Sequence, residues 1–443
     1  MRVNGKRLFG LSSGILSGSI AGAAMLAALG TAGAQEPGQV TFTKDVAPIL
    51  QARCQVCHRP DTFAPMSLVT YEEARPWAKS IKQKVVAREM PPWYIDKNVG
   101  VRHFKNDVSL TDREIATIAK WVDSGAPKGN PADMPPARKF EDTDTWHMGQ
   151  PDLIVELPKD QVVPAQAADR WVDILVDSGL KEDRFIRGIE IRPLKGFRAI
   201  HHVTTSMKQD DGAVDSGDDV QGTFLNEYAL GKNADVFPDG AGRLIKAGAK
   251  INFNLHLHAI GQQTLANVAL GLKLYPSGYK PKYEETTEKV GDPKDLDIPP
   301  NTDGVRFDGY NTLTKPARLL SFQPHLHNRG KASCMEAIYP GGHKVETLSC
   351  VSHYQFAWHI VYLYYEDEQP LLPAGTILHL TSWYDNSSHN KFNPDPDNTI
   401  TYGQRTIDEM GGAWVSYYYL TDEEYRQQVQ ERKAKQAAVA TSE

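Results

Sequence analysis

The sequence predicts a multi-domain protein in which a small all-α domain precedes two antiparallel β-sandwich (jelly-roll-like) domains. Apolar residues at helical spacing occur mainly before Pro127. After Pro151, short runs of β-branched and aromatic residues alternate with Gly, Pro and Asp turns, a pattern typical of sandwiches. A stretch rich in Lys, Glu and Pro from Pro276 to Pro300 interrupts these runs, so we expect a boundary between two β domains there.

Residues 1–34 have the features of a secretory signal peptide. Arg2, Lys6 and Arg7 form a basic start, Leu11–Leu29 is apolar, and Ala32–Ala34 offers small residues for cleavage. An uncleaved membrane anchor is the alternative, which the many Gly and Ser residues disfavour. We therefore expect an exported, periplasmic or secreted protein without a stable membrane span. The net charge of −6 gives no basic surface for nucleic acid.

The stretch Cys54-Gln55-Val56-Cys57-His58 has the C-x-x-C-H spacing that attaches c-type haem. Each thiol adds to one haem vinyl group, and His58 then becomes an axial ligand of the iron. A redox-active dithiol is the alternative, but it gives no reason for the histidine. The sequence thus predicts a covalently bound haem c.

Two predicted helices flank this motif. One covers Thr43–Gln55, and the other covers Asp112–Ser124 with Thr111 as its N-cap and Glu114 as the capping-box acid. This arrangement resembles class I cytochrome c domains over about residues 40–128. It implies a cytochrome c domain at 36–130 and a linker at 131–148.

The same resemblance implies a sixth iron ligand. Met90, which is followed by Pro91 and Pro92, matches the Met-Pro-Pro loop of that family. Met66 is the rival, and core packing is the alternative role for either methionine. A haem with histidine and thioether ligands transfers electrons.

The other two cysteines, Cys334 and Cys350, flank Pro340-Gly341-Gly342. In an oxidising compartment, this spacing predicts a hairpin closed by a disulfide bond. Free buried thiols are the alternative.

Histidines occur in three tight sets in the second half of the chain. Residues i and i+2 of a strand point to the same face, so a His-x-His run offers two imidazoles to one centre. Adjacent histidines can share a centre only where the backbone twists or ends. Sites rich in imidazole and free of cysteine suit copper or zinc. The three sets are His201-His202, His256-Leu257-His258 and His325-Leu326-His327.

The order of these motifs resembles the copper type II, ascorbate-dependent monooxygenases, the group of peptidylglycine α-hydroxylating monooxygenase and dopamine β-monooxygenase. Two further stretches resemble the bacterial branch, which is often fused to a cytochrome c domain. The resemblance covers about residues 150–420. It rests on His201-His202, His256 with Gly261, His325-x-His327, Asp408-Glu409-Met410, Tyr384–Ser387 and Asn393–Pro396.

The resemblance implies two copper ions, one in each β domain (149–280 and 281–425), followed by a polar tail at 426–443. His201, His202 and His256 would form the electron-storing centre. His325, His327 and Met410 would form the centre that binds dioxygen, separated from the first by solvent. The implied activity is that of a monooxygenase, an oxidoreductase that hydroxylates a C–H bond of a small organic substrate. Electrons would arrive through the haem, from ascorbate, or from a periplasmic redox protein.

Several positions depart from the family pattern. His258 is an extra histidine that could compete with or assist His256. Gln323 stands where the peptide-hydroxylating enzymes have an arginine for the substrate carboxylate, which argues against a peptide substrate with a C-terminal glycine. His359, like the other isolated histidines, receives no role. Six aromatic residues could line a pocket, although ordinary core packing is favoured for most of them: Phe356, Trp358, Tyr362, Trp383, Tyr384 and Trp414.

Two other functions stay open at this level. The protein could be a non-enzymatic electron-transfer or copper-binding protein with a c-type haem, or its β domains could be an interaction scaffold for the cytochrome.

Overall fold

The computed structural model describes residues 38–440 except 61, 63, 141–145, 211–221, 230–231, 233 and 292. The predicted signal peptide at 1–34 lies outside the described residues. From Val40 onward the chain forms one compact unit. None of the helices described is long and apolar enough to cross a membrane.

Helices occur mainly in the first part of this unit and at its end. The predicted capping box at Thr111 is confirmed, because its hydroxyl accepts the Glu114 N–H while the Glu114 carboxylate accepts the Thr111 N–H. Helical turns also occur at Phe42–Val46, Arg75–Trp77, Pro131–Asp133, Phe197–Ala199 and Pro293–Asp295. The helices are α1 (Ala47–Arg53), α2 (Tyr71–Ala74), α3 (Ala78–Val86), α4 (Asp112–Asp123) and α5 (Asp422–Ala440).

Strands make up most of the remainder. In chain order they are β1 (Leu153–Glu156), β2 (Gln161–Val163), β3 (Arg170–Asp177), β4 (Arg184–Lys195), β5 (Ile200–Lys208), β6 (Thr223–Ala229), β7 (Asp235–Val236), β8 (Ala241–Ile245), β9 (Lys250–Leu257), β10 (Thr264–Leu274), β11 (Tyr283–Val290), β12 (Asp297–Ile298), β13 (Asp303–Thr312), β14 (Ala317–Leu326), β15 (Gly330–Ile338), β16 (Val345–Val351), β17 (Tyr362–Leu363), β18 (Leu371–Leu372), β19 (Ile377–Asp385), β20 (Ile400–Thr401) and β21 (Gly411–Tyr419).

One long sheet runs through both halves of the β region. Its strand order is β1-β10-β4-β8-β11-β21-β14-β17, with β2, β7 and β18 paired at its sides. Two four-stranded sheets, β3-β9-β5-β6 and β13-β19-β15-β16, complete the layers. The halves join where β8 and β11 pair in parallel, with Tyr283 opposite Ala241.

Apolar side chains of facing sheets form two β cores. The first contains Ile189 of β4, Leu270 of β10 and Phe253 of β9, all fully buried. The second contains Phe322 of β14 and Leu380 of β19. These cores fix the facing sheets, and the candidate site lies on strands of both.

The predicted fold class, an all-α cytochrome c domain followed by two antiparallel β-sandwich domains, is wrong. Strands hold 38% and helices 17% of the residues described, with no large all-α domain among them. The segment that follows the haem motif packs into the second β core through Trp93, Ile95, Val101 and Phe104. Sequence periodicity could not show this, because an extended segment bearing four apolar residues has no helical spacing to reveal its partner.

The predicted disulfide is confirmed. Cys334 of β15 lies opposite Cys350 of β16, and the two sulfurs are bonded. The bond closes the hairpin around Pro340-Gly341-Gly342.

Candidate metal centre

The histidines of the first predicted copper centre lie together. His202 on β5 is the register partner of His256 on β9, and a register shift between Ile200 and His202 leaves His201 in a bulge. The bulge lets adjacent histidines serve one centre, as their spacing requires. Ligand-capable atoms of His201, His202 and His256 lie within 4.8 Å of one another.

Ring nitrogens in this cluster are arranged as metal ligands would be. The Nδ1 atoms of His201 and His202 are 3.1 Å apart, and two nitrogens each about 2.0 Å from one ion lie roughly 2.8–3.3 Å apart. His256 donates from Nε2 to Asp169 (2.9 Å), which leaves its buried Nδ1 without a hydrogen-bond partner among the residues described. A carboxylate on the second ring nitrogen fixes the tautomer of a metal-binding imidazole.

His258 takes a different place. Its Nδ1 bonds the other oxygen of Asp169 (2.8 Å), and its side chain is exposed. His258 therefore shares the carboxylate with His256 but does not belong to the cluster. Trp171 stacks on His256 with ring centroids 4.2 Å apart, which further fixes the imidazole of His256.

The imidazoles are held neutral at physiological pH. Burial, reinforced by the neighbouring histidines, lowers the pKa of His201 to about 3 and brings the pKa of His202 well below its ordinary value. Burial lowers the pKa of His327 to about 4 and also lowers that of His325. Neutral imidazole is the form that binds metal ions.

The second predicted centre lies on the long sheet. The rings of His325, at the end of β14, and His327, just beyond it, have centroids 5.5 Å apart. His325 pairs with Gly412 of β21, so extending this register by two residues brings Met410 opposite His327. Met410 is buried, with 4% of its surface exposed. The register thus brings the three predicted ligands to one end of the β14–β21 pair.

Backbone contacts hold this end of the pair together. Buried Glu409 accepts N–H groups from His327 (2.8 Å), Met410 (3.2 Å) and Arg329. The Tyr384 hydroxyl donates to the Met410 carbonyl (2.9 Å). The Nδ1 of His327 donates to the carbonyl of Asp408 (3.2 Å), so Nε2 is the unprotonated nitrogen of this neutral ring.

Residues of the two stretches Tyr384–Ser387 and Asn393–Pro396 form hydrogen bonds with Arg329 and with one another. The guanidinium of Arg329, which is fully buried, donates to the Asn386 side chain (2.8 Å) and to the carbonyls of Ile407 (2.8 Å) and Asp395 (3.2 Å). Asn393 also bonds Asn386 (3.0 Å). These residues therefore tie the loops around Met410 rather than contact the histidines.

His359, to which the sequence assigned no role, lies between the two groups of histidines. Its ring centroid is 6.0 Å from His201, 5.2 Å from His202 and 5.0 Å from His325. This arrangement replaces the solvent gap that the resemblance implied. No sequence signal could have revealed His359, because it is a single histidine in an irregular loop, with no paired histidine and no strand to fix its direction.

Glu227 on β6 was also missed. Its carboxylate, 1% exposed, accepts a hydrogen bond from His359 Nδ1 (2.9 Å) and another from the Gln323 amide. Ligand-capable atoms of Glu227, His325 and His359 lie within 4.8 Å of one another. A buried acid on a strand leaves no periodic pattern, so only the fold brings it to these histidines.

Four of the six predicted pocket aromatics can be placed: two lie beside the histidines or a cavity, and two lie in the second β core. Phe356 stands among the histidines, 5.6 Å from both His201 and His327. Trp414, stacked 4.1 Å from Phe224, lines a cavity together with Gln323. Tyr362 and Tyr384 are core residues. Gln323 thus connects the cavity with Glu227.

At the haem motif, Cys54 and Cys57 are free thiols. The Nδ1 of His58 donates to the carbonyl of Met66 (3.2 Å), so Nε2 is available to an iron. Met66 thus contacts His58 through its backbone carbonyl. Met90 is half-buried after α3.

The residues present fit copper or another borderline metal ion. Three buried ring nitrogens have no hydrogen-bond partner in the part of the chain described, namely His256 Nδ1, His325 Nδ1 and His359 Nε2. Unpaired buried polar atoms are costly, and an ion would satisfy them. The thiol pair with a pre-oriented His58 likewise fits covalent haem.

No protein-family model and no curated protein matches the chain. Among solved structures, the major capsid protein P2 from bacteriophage PM2 aligns with 60% of this chain and 96% of its own, at 9% identity and a TM-score of 0.27. A Paenibacillus xanthan lyase aligns with 65% of this chain and 28% of its own, at 11% identity and a TM-score of 0.16. Scores this low carry no argument about function, so the site is interpreted from its own residues.

Proposed function

We propose that this protein is an exported, copper- and haem-dependent monooxygenase that hydroxylates a C–H bond of a small organic substrate. One observation carries the proposal: histidines from separate strands converge, with ring nitrogens left free for metal ions. The reaction consumes one dioxygen, two electrons and two protons per substrate and yields the alcohol and water. The chemistry that copper supplies is the reduction of dioxygen and the transfer of one oxygen atom to carbon.

The first centre is suited to storing an electron. His201, His202 and His256 offer an all-imidazole ligand set, which accommodates both oxidation states of copper. Asp169 fixes the orientation of His256, and Trp171 packs against the same ring. These contacts would hold the imidazole of His256 in one orientation in either oxidation state.

The second centre offers a softer ligand set. A thioether beside two imidazoles favours Cu(I), the oxidation state that meets dioxygen. Glu409 accepts the backbone N–H groups of both His327 and Met410, so it holds the backbones of these two proposed ligands at one carboxylate.

The cavity lined by Phe224, Trp414 and Gln323 is the proposed substrate site. Its aromatic surface suits a substrate with an apolar part. Gln323 is neutral and already bonded to Glu227, which disfavours a substrate held by its carboxylate.

The haem motif supplies the route for electrons. Cys54 and Cys57 would attach the haem, and His58 and Met90 would bind its iron, whose chemistry is one-electron transfer. The proposed external donor is ascorbate or a periplasmic redox protein.

The test is anaerobic reduction of the full chain loaded with haem and copper, followed by dioxygen. We expect rapid haem re-oxidation and oxygen uptake in the wild type, and loss of both in Met410→Leu with an unchanged haem spectrum. Met335→Leu, at a buried methionine of β15, is the matched control and should behave as the wild type. Stable copper without oxygen uptake in the wild type would instead identify an electron-transfer or copper-binding protein.

A further inference from the structure

The pair formed by Glu227 and His359 has no part in either predicted copper centre. It lies beside His325, and ligand-capable atoms of the three side chains are within 4.8 Å of one another. Ligands of a tetrahedral ion are about 3.3 Å apart. The largest separation that this limit allows exceeds a ligand-to-ligand distance by about 1.5 Å.

The surroundings of Glu227 are unusual for a buried acid. Its carboxylate accepts one hydrogen bond from His359 Nδ1, a contact that is an ion pair when the imidazole is protonated, and another from the amide of Gln323. A buried carboxylate without a cation is costly. A metal ion would supply the missing positive charge.

The two imidazoles give an independent indication. His325 Nδ1 and His359 Nε2 are both buried and have no hydrogen-bond partner among the residues described. The ring centroids are 5.0 Å apart and the rings are nearly perpendicular, at 84°. Two imidazoles with unpaired ring nitrogens beside a buried carboxylate form a ligand set that a cation would complete once His359 releases its hydrogen bond to Glu227.

We propose that Glu227, His325 and His359 form a metal site that binds a divalent ion through one carboxylate and two imidazoles. Such ligands suit Zn²⁺, Cu²⁺ or Fe²⁺, whereas the thioether of Met410 suits Cu(I). His325 belongs to both ligand sets, so the oxidation state of copper selects the set that is occupied. This last step rests on the proposed function, but divalent-ion binding by the three residues does not.

The experiment is a competition titration of the metal-free full chain with Zn²⁺, which is redox-inactive and reports binding alone. The Zn²⁺ binding that is lost in His325→Ala is the binding that requires His325. We expect Glu227→Gln and His359→Gln each to weaken this Zn²⁺ binding at least about tenfold. Met410→Leu should leave it unchanged.

Glu190→Gln is the matched control. Glu190 is a buried carboxylate bonded to His147 (2.7 Å), and it lies on β4 of the long sheet rather than on β6. Its replacement tests the loss of a buried Glu–His contact without touching the site, and unfolding curves of every variant verify the fold. Zn²⁺ affinity in Glu227→Gln equal to the wild type, or an equal loss in Glu190→Gln, overturns the site.

The same variants separate this inference from the oxygenase. Anaerobic Cu(I) binding should weaken in Met410→Leu and stay unchanged in Glu227→Gln. If Zn²⁺ binding is independent of Glu227 while Cu(I) binding and oxygen uptake depend on Met410, the divalent site is refuted and the proposed function stands. If Zn²⁺ binding requires Glu227 but no oxygen is consumed, the site stands and the oxygenase does not.

Discussion

Replacing Asp169 by Asn tests whether the first histidine cluster is a metal site. The carboxylate accepts one hydrogen bond from His256 (2.9 Å) and one from His258 (2.8 Å). Asn has a single acceptor oxygen and no charge, so it cannot accept from both histidines, and His256 loses its charged partner. Partners of this kind contribute about 10- to 100-fold in metal affinity. We expect Cu(I) binding at this centre to weaken by that factor.

The assay is anaerobic competition against a colorimetric Cu(I) chelator, with His256→Gln identifying the affected class of sites. His258→Gln is the control, because His258 bonds the same carboxylate but is exposed and outside the cluster. It should leave the affinity within about threefold of the wild type, well short of the loss expected at a ligand. Unchanged affinity in Asp169→Asn would refute the orienting role. A loss in His258→Gln as large as that in His256→Gln would show that His258 is a ligand.

Three further predictions concern stability. Glu409→Leu leaves three buried N–H groups without an acceptor and should lower the free energy of unfolding in urea by about 3 kcal/mol or more. Glu409→Gln should lower it by less. A Leu variant as stable as the wild type would contradict this prediction. Joint replacement of Cys334 and Cys350 by Ser should cost about 3 kcal/mol, because the bond closes a loop of 16 residues; an unchanged urea midpoint would argue against the bond. Burial opposes ionisation of Glu368, yet backbone N–H groups at 102 and 103 lower its pKa. Its stabilisation is therefore full above the ordinary Glu value of 4.5 and is lost as the pH falls through the lower folded value. Glu368→Gln should be less stable than the wild type at pH 7 and match it in acid, and a gap independent of pH would contradict the assignment.

The sequence predicted the first histidine cluster well, for a definite physical reason. Paired histidines on strands have fixed directions, and the one exception, His201-His202, required an irregular backbone that the bulge provides. The same reasoning left the role of His258 open. Because β9 ends at Leu257, the alternation of side chains does not extend to His258. Spacing within a strand is thus informative only as far as the strand extends.

The groups around the histidines could not be predicted. Asp169, Glu227 and His359 come from a loop, a strand and another loop, far apart in the sequence, and long-range packing alone brings them together. The helical capping at Thr111 is local and was predicted, whereas the burial of Trp93 in a β core depends on distant strands. Local chemistry is encoded in neighbouring residues, and the fold class failed where contacts are non-local.

The parallel pairing of β8 with β11 has a practical consequence for anyone who dissects this protein. A cut at the predicted boundary between residues 280 and 281 would expose one bare backbone edge on each fragment. Such edges recruit foreign strands and promote aggregation. Fragments expressed separately should therefore precipitate or self-associate. Co-expression should allow β8 and β11 to pair again and give a soluble complex of the two fragments.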